Sequence, residues 1–220
     1  MVATLDQESA ARALIDMSRV LYDRGWMEGT GGNLSLRLAG AQDMAVITAS
    51  GRSKGELTAE DCVHVHATTG RPLHERAPRP SAETDVHAAL YRVLPGVGAV
   101  AHVHSPYATL AATHAATPTA RGRVLRVEGL ELAKVLLTRA ATLLEVPVFE
   151  NWPDVSRLGC EVAARIGGEG SGPPVLLVAG HGATAWGRTL AEARDRLECL
   201  EALCRLRLMA DLLLAGRGPR

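Results

Sequence analysis

Hydrophobic and polar positions alternate along the chain between helical and strand spacing. Apolar residues recur every three or four positions from residue 5 to residue 24, which predicts an opening helix that ends at Gly25. Short β-branched or alternating runs predict strands over residues 34–38, 44–48, 62–66, 98–104, 146–149 and 175–178. Further helices are predicted over residues 83–93, 130–137 and 155–166, and from a Thr189 cap to about residue 214.

The interleaving of these strands and helices, with short connections, predicts an α/β fold in which helices cover a mixed sheet. A length of 220 residues suits one compact domain, residues 1–220. The segment between residues 167 and 174 is expected to be a loop. The tail after about residue 215 is expected to fray.

Charge and composition exclude several classes of partner. Lysine plus arginine and aspartate plus glutamate both number 24, so no overall field favours a nucleic acid or an anionic membrane. No apolar run approaches the roughly 20 residues of a membrane span, and the first 20 residues lack the apolar core of a signal peptide. The cysteines have no C-x-x-C spacing. We therefore expect a cytoplasmic protein with reduced thiols.

Three histidines form a candidate metal site. His102 and His104 alternate at the end of a predicted strand, so their side chains share one face and their Cα atoms lie roughly 6.6 Å apart. His181 ends another strand between Gly180 and Gly182, which leave room for a ligand. Three imidazoles with an open position are typical of catalytic zinc sites.

The same spacing occurs once more, at His64 and His66. A His-x-His pair near a strand end is often incidental, so spacing alone leaves both pairs open. The polar turn after His66 favours exposure of that second pair. We expect the other histidines (His64, His66, His74, His87 and His114) to be surface or hydrogen-bonded residues.

Three segments have the features of anion-binding loops. Residues 29–33 form a glycine-rich turn, and residues 48–51 end a strand with Arg52 and Lys54 close behind. Ser81 lies at a predicted helix N-terminus, where amide groups and the helix dipole favour an anion. Each segment alone is more typical of a turn or a cap, but together with the histidines they predict a phosphorylated ligand facing a metal. The candidate phosphate-binding residues are Gly31, Gly32, Asn33, Ser50, Gly51 and Ser81.

Two glutamates are candidate acids and bases. Glu83 follows Ser81 by two residues, and Glu131 lies on the next predicted helix. Glutamates at helix starts also stabilise the helix dipole, and this alternative stays open.

The motifs occur in an order that resembles the class II aldolase/adducin family over roughly residues 8–212. They lie at residues 29–33, 47–51, 80–83, 101–105 and 180–182. The resemblance implies a three-layer α/β/α fold with a mixed central sheet, in a homotetramer with the site near subunit boundaries. It also implies one zinc ion per subunit on His102, His104 and His181, and a phosphorylated ketose as substrate.

Within the family, residues 28–33, 50–55, 128–134 and 185–188 are most similar to the dehydratases of methionine salvage. That similarity implies zinc-dependent dehydration of 5-methylthioribulose 1-phosphate to 2,3-diketo-5-methylthiopentyl 1-phosphate. The residue matching Glu131 is the catalytic candidate in the dehydratases, and the one matching Glu83 is the acid/base in the aldolases. The chain has Ala49 where the aldolases usually have proline, and Ala82 where they usually have a second serine. Met27 and Trp152 are candidates to contact the methylthio group.

Two alternatives remain open at this point. One is a sugar-phosphate aldolase of the fuculose-1-phosphate type or a ribulose-phosphate 4-epimerase, because the same metal site serves those reactions. The other is a non-catalytic, adducin-like assembly module. The presence of all three histidines and both glutamates argues against the module.

Overall fold

The computed structural model describes residues 7–38, 43–120, 122–137, 142–169 and 172–216. Its helices are α1 Gln7–Asp23, α2 Thr84–Val93, α3 Pro106–His114, α4 Val155–Glu169 and α5 Leu190–Ala215, with short 3-10 helices at Ala59–Asp61 and Glu131–Val135. Its strands are β1 Asn33–Arg37, β2 Met44–Thr48, β3 Cys62–His66, β4 Ala99–Val103, β5 Thr117–Thr119, β6 Gly122–Glu128, β7 Leu143–Phe149, β8 Val175–Val178 and β9 Gly182–Gly187.

The described strands form one sheet in the order β3-β2-β1-β4-β9-β8-β7-β6-β5. The β7–β8 pair is parallel, and the other neighbouring pairs are antiparallel. The prediction of an α/β fold with a mixed sheet is therefore confirmed.

Side chains on the two faces of the sheet build two separate cores. Along β4, Ala99, Ala101 and Val103 point to one face and Val100 points to the other. The first face is covered by α1, α3 and α5, and the second by α2 and α4. The result is the three-layer α/β/α arrangement, in which the central strands β4, β9 and β8 are buried on both sides.

Several elements differ from the sequence prediction. Four elements, α3, β5, β6 and β9, were not predicted from the sequence, and β7 begins three residues earlier than predicted. The segment 130–137 contains a 3-10 helix where a longer helix was predicted. The loop expected between residues 167 and 174 starts later than predicted, because α4 continues to Glu169; residues 172–174 lie outside helices and strands, as expected. Gly167 packs there against Val93, and a Cβ at residue 167 would lie 3.1 Å from the Val93 Cβ. Close helix packing thus explains a glycine that looked like a helix end. The tail after residue 216 lies outside the described residues.

Strand pairing brings the candidate motifs to one end of the sheet. Asn33 at the start of β1 pairs with His102 near the end of β4, and β9 begins directly after His181. Gly182 allows this approach, because a Cβ at that position would overlap the carbonyl oxygen of Val103. Residues far apart in sequence therefore meet where strands begin and end.

Helix α5 leaves a row of apolar side chains exposed near its end: Leu206, Met209, Leu212, Leu213 and Leu214. The helix is 26 residues long but carries charged residues along its length. Among the described helices, none has the length and apolar content needed to cross a membrane.

The buried carboxylate of Glu201 holds the N-terminus of α3, the helix that follows His104 in the chain. Glu201 of α5 accepts hydrogen bonds from the backbone amides of Tyr107 (2.9 Å) and Ala108 (2.7 Å) at the N-terminus of α3. We expect Glu201→Ala to lower the free energy of unfolding by about 2–3 kcal/mol, because two buried amides lose a charged acceptor. Glu198→Ala on the same helix should cost less than about 1 kcal/mol, since Glu198 makes surface ion pairs. Denaturant unfolding of both variants measures the difference, and equal costs would contradict this role.

Candidate metal centre

Four side chains converge at the end of the sheet. Glu83, His102, His104 and His181 each offer one ligand atom, and these atoms all lie within 4.8 Å of one another. The Nε2 atoms of His104 and His181 are 3.1 Å apart, and the Glu83 carboxylate lies 3.3 Å from Nε2 of both His102 and His181. The three predicted histidines are thus brought together, with Glu83 as a fourth member.

The ring of His102 is oriented by a residue of the neighbouring strand. Thr184 of β9 pairs with His102 across the sheet, and its Oγ1 lies 2.9 Å from the His102 Nδ1. When Nδ1 donates this hydrogen bond, the lone pair of Nε2 faces the cluster. That Nε2 is buried and makes no hydrogen bond with any described residue.

The surroundings keep two of these imidazoles neutral. Burial, reinforced by His181 and His104, holds the pKa of His102 well below its usual value. Burial also lowers the pKa of His104, with His181 and Lys54 acting in the same direction and Glu83 opposing them. Neutral imidazoles with free lone pairs are the form that binds a metal.

Asn33 positions the carboxylate of this cluster. Its Nδ2 donates a hydrogen bond of 2.6 Å to Glu83 Oε2. The side chain of Glu83 therefore faces two imidazoles and one amide, and lies largely out of solvent. Three imidazole nitrogens and one carboxylate oxygen form a donor set that fits a divalent cation such as zinc.

A cavity of about 300 Å³ opens beside the cluster. The loops around it are joined by backbone hydrogen bonds, from Ser50 to the Arg79 carbonyl (2.9 Å) and from Ser81 to the Thr48 carbonyl (3.1 Å). Five of the six predicted phosphate-binding residues line the cavity, namely Gly32, Asn33, Ser50, Gly51 and Ser81.

Gly31, the sixth, lies against the metal cluster instead. Its amide donates to the Glu28 carbonyl at 3.0 Å, and a Cβ at this position would lie 2.7 Å from His104 Nδ1. Gly31 therefore leaves space for the ring of His104, and its amide is already used within the turn.

Glu131 is not brought to the metal cluster within the chain. It lies in the 3-10 helix Glu131–Val135, its side chain is 84% exposed, and it pairs with Lys134 at 2.8 Å. It borders a separate surface concavity of about 310 Å³ formed by residues 128–131, 133, 134 and 137 together with Thr142. Glu83 and Glu131, the two candidate acids, thus lie at different places on the molecule.

The other histidine pair lies on the edge strand β3. His66 is exposed there and His64 is half-buried. In the described parts of the chain, the group of four around Glu83 is the one that could hold a metal. His87 is buried, bonds through Nδ1 to Ser35 Oγ at 2.7 Å, and has its pKa lowered to about 3 by burial.

A family model for the class II aldolase and adducin N-terminal domain matches residues 12–208. The chain belongs to the class II aldolase and adducin family. The match spans the strands, helices and loops that build the metal centre.

Individual relatives agree with this assignment. The chain is 41% identical over 215 residues to a methylthioribulose-1-phosphate dehydratase of Xanthomonas campestris, covering 96% of this chain and 92% of that protein. It is 48% identical over 203 residues to a probable bifunctional methylthioribose-1-phosphate isomerase/methylthioribulose-1-phosphate dehydratase of Nocardia farcinica. That match covers 92% of this chain but 36% of the Nocardia protein. The structure of L-fuculose-1-phosphate aldolase from Thermus thermophilus is similar with a TM-score of 0.70 and 26% identity, covering 97% of this chain and all of that one.

Two residues beside the metal cluster, Thr184 and Lys54, could not be assigned a role from the sequence. Thr184 was not recognised because β9 was not predicted, and only the register of that strand places it beside His102. Lys54 was noted near the second loop without a role, yet it is buried and lines the cavity. Of the two candidates for the methylthio group, Met27 is buried beneath Gly32, and Trp152 packs with Arg157; neither lines the cavity.

Thr184 provides a test of how His102 is held. We expect Thr184→Val to weaken zinc affinity by about 10- to 100-fold, because the side chain keeps its shape but His102 Nδ1 loses its partner. Thr184→Ser keeps the hydroxyl and should bind zinc within a few-fold of the parent. Competition with a chromophoric chelator measures both affinities. An unchanged affinity in the valine variant would show that Thr184 does not position the ring.

Proposed function

We propose that this chain is a methylthioribulose-1-phosphate dehydratase. It would remove water from 5-methylthioribulose 1-phosphate and form 2,3-diketo-5-methylthiopentyl 1-phosphate, a step of methionine salvage. The observation that supports this proposal is the cluster of three histidines and Glu83 beside a cavity lined by the predicted phosphate-binding loops. The names of the relatives support the same reaction.

In this proposal His102, His104 and His181 hold one zinc ion per subunit, with Glu83 beside it. Bound zinc would supply Lewis-acid polarisation of the substrate's ketone. The fit rests on the donor set and on the buried Nε2 of His102, which lacks a hydrogen-bond partner among the described residues.

The phosphate would bind in the cavity beside Gly32, Asn33, Ser50, Gly51 and Ser81. The hydroxyls and backbone amides of these loops can donate hydrogen bonds to phosphate oxygens. Gly31 would contribute indirectly, because its lack of a side chain leaves space for the ring of His104 behind the loop. Holding the phosphate fixes the ketone and the carbons next to it relative to the metal cluster.

Glu131 is the proposed acid and base. It would take the proton from the carbon next to the ketone and return it to the departing hydroxyl on the following carbon, so that water leaves. Tautomerisation of the resulting enol then gives the diketone. The carboxylate of Glu83 is less free for this task, because Asn33 and two histidines already surround it.

If Glu131 is the acid and base, its location calls for a second subunit. Because it lies apart from its own metal cluster, we propose that it completes the site of a neighbouring subunit in a homotetramer. Two exposed apolar side chains support burial of this surface in an assembly: Val135 in the same 3-10 helix and Leu143, which pairs with Glu128. We further propose that the chain is a single domain and acts in the cytoplasm.

A sugar-phosphate aldolase is the second candidate, favoured by the structural similarity to L-fuculose-1-phosphate aldolase. The same cluster could assist cleavage of a carbon–carbon bond, so geometry at the metal does not separate the two reactions. Product mass separates them: a dehydratase yields one product 18 mass units lighter than the substrate, whereas an aldolase yields two fragments.

A further inference from the structure

Lys54 is a buried cation in the wall of the substrate cavity. Its side chain is 1% exposed, although lysines are rarely buried without a partner of opposite charge. It follows the Ser50–Gly51 loop and lies among the residues that line the cavity.

The ammonium of Lys54 joins two of the cavity loops. Nζ donates to the carbonyl of Thr30 at 3.0 Å and to the carbonyl of Arg52 at 2.8 Å. These bonds use two of its three donors. Among the ion pairs of the described residues none involves Lys54, and the carbonyls of Thr30 and Arg52 are its hydrogen-bond partners in that part of the chain.

Electrostatics make this arrangement costly without an anion. Burial lowers the pKa of Lys54, while the negative charges of Asp61 and Glu83 partly oppose that shift. Asp61 is already paired with Arg52 at 3.0 Å, and Glu83 belongs to the metal cluster. A further negative group in the cavity would stabilise the buried ammonium.

Lys54 is also the one cationic side chain among the residues that line the cavity. Arg52, the nearest alternative in sequence, has a side chain that is 62% exposed and does not line it. A phosphate monoester near pH 7 carries between one and two negative charges. The loop serines, glycines and Asn33 offer it only neutral donors.

We propose that Lys54 is a phosphate-binding residue, with its third donor directed to the phosphate of the substrate while the other two hold the loops of Thr30 and Arg52 together. The assignment rests on the proposed function, since it concerns the same cavity. The proposal adds a positively charged side chain to the predicted phosphate site, whose other candidate residues are uncharged.

Two variants test it in the zinc-loaded protein. Lys54→Met removes the charge and the N–H donors and keeps most of the length of the side chain, whereas Lys54→Gln removes the charge but retains an amide with two N–H donors on a side chain one atom shorter. Titration calorimetry with inorganic phosphate should give an affinity about 10- to 100-fold weaker in both variants, the range for loss of a charged hydrogen bond. The KM for the phosphorylated substrate should rise by a similar factor, and kcat should change much less.

The matched control is Arg52→Gln, which removes a neighbouring cation outside the cavity. Its phosphate affinity should stay within a few-fold of the parent. Phosphate binding by Lys54→Gln at the parental affinity would overturn the proposal and leave Lys54 as a link between loops. Absence of phosphate binding in the parent would overturn it as well. Because calorimetry needs no turnover, a parent that binds phosphate but does not dehydrate the substrate would contradict the proposed function while supporting Lys54.

Discussion

His104→Ala is expected to lose the metal and about a thousandfold or more of the dehydratase activity. His104 contributes one of three imidazoles that converge at the centre, and its Nε2 lies 3.1 Å from that of His181. Loss of one ligand leaves an incomplete donor set, and loss of metal removes several kcal/mol of stabilisation of the polarised carbonyl. Zinc content by atomic absorption and turnover of the substrate measure the two effects.

His66→Ala is the matched control for this experiment. His66 belongs to a His-x-His pair with the same spacing but lies exposed on the edge strand. It should keep the parental zinc content and activity. Equal loss in both variants, or an active zinc-free His104→Ala protein, would contradict the assignment of the metal centre.

Glu131→Gln is expected to keep zinc and to lose activity by about 100- to 10,000-fold. Glutamine has nearly the same shape but cannot accept a proton, and this range is typical for removal of a general acid–base residue. Substantial activity in this variant would move the role to Glu83, which lies at the metal cluster itself. Zinc content and phosphate affinity of the variant distinguish a chemical defect from a binding defect.

Mixed oligomers test whether Glu131 acts across a subunit boundary. A Glu131→Gln subunit keeps an intact metal cluster, and a His104→Ala subunit keeps an intact Glu131. When the two inactive chains are coexpressed, part of the activity should return. Some sites then combine the intact metal cluster of a Glu131→Gln subunit with the intact Glu131 of a His104→Ala subunit. No recovery in purified hybrid oligomers would contradict the proposal that the neighbouring subunit supplies Glu131.

The sequence predicted those elements whose signals are local. Strands β2, β3 and β8 were placed with their observed bounds, because each is a short β-branched run between clear breaks. Helix α3 was missed because its alanines and threonines give no amphipathic pattern. Strand β9 was missed because small residues fill it and glycines end it, although all its residues are buried.

In the candidate site, too, features set by local sequence could be predicted, whereas contacts between residues far apart in sequence could not. His102 and His104 could be paired from the sequence alone, because alternation on a strand places both on one face. The role of Asn33 as a hydrogen-bond donor to Glu83 could not be predicted, since it depends on the approach of β1 to the start of α2. Thr184 and Lys54 likewise act through contacts set by strand register and loop packing. The family resemblance supplied the zinc, the substrate class and the role of Glu131.

The most direct test of the proposed function is to incubate the purified, zinc-loaded protein with 5-methylthioribulose 1-phosphate and to analyse the products by mass spectrometry. The proposal predicts a single phosphorylated product that has lost one molecule of water and reacts as a diketone. Cleavage into two carbon fragments, or an unchanged substrate in the presence of stoichiometric zinc, would contradict it.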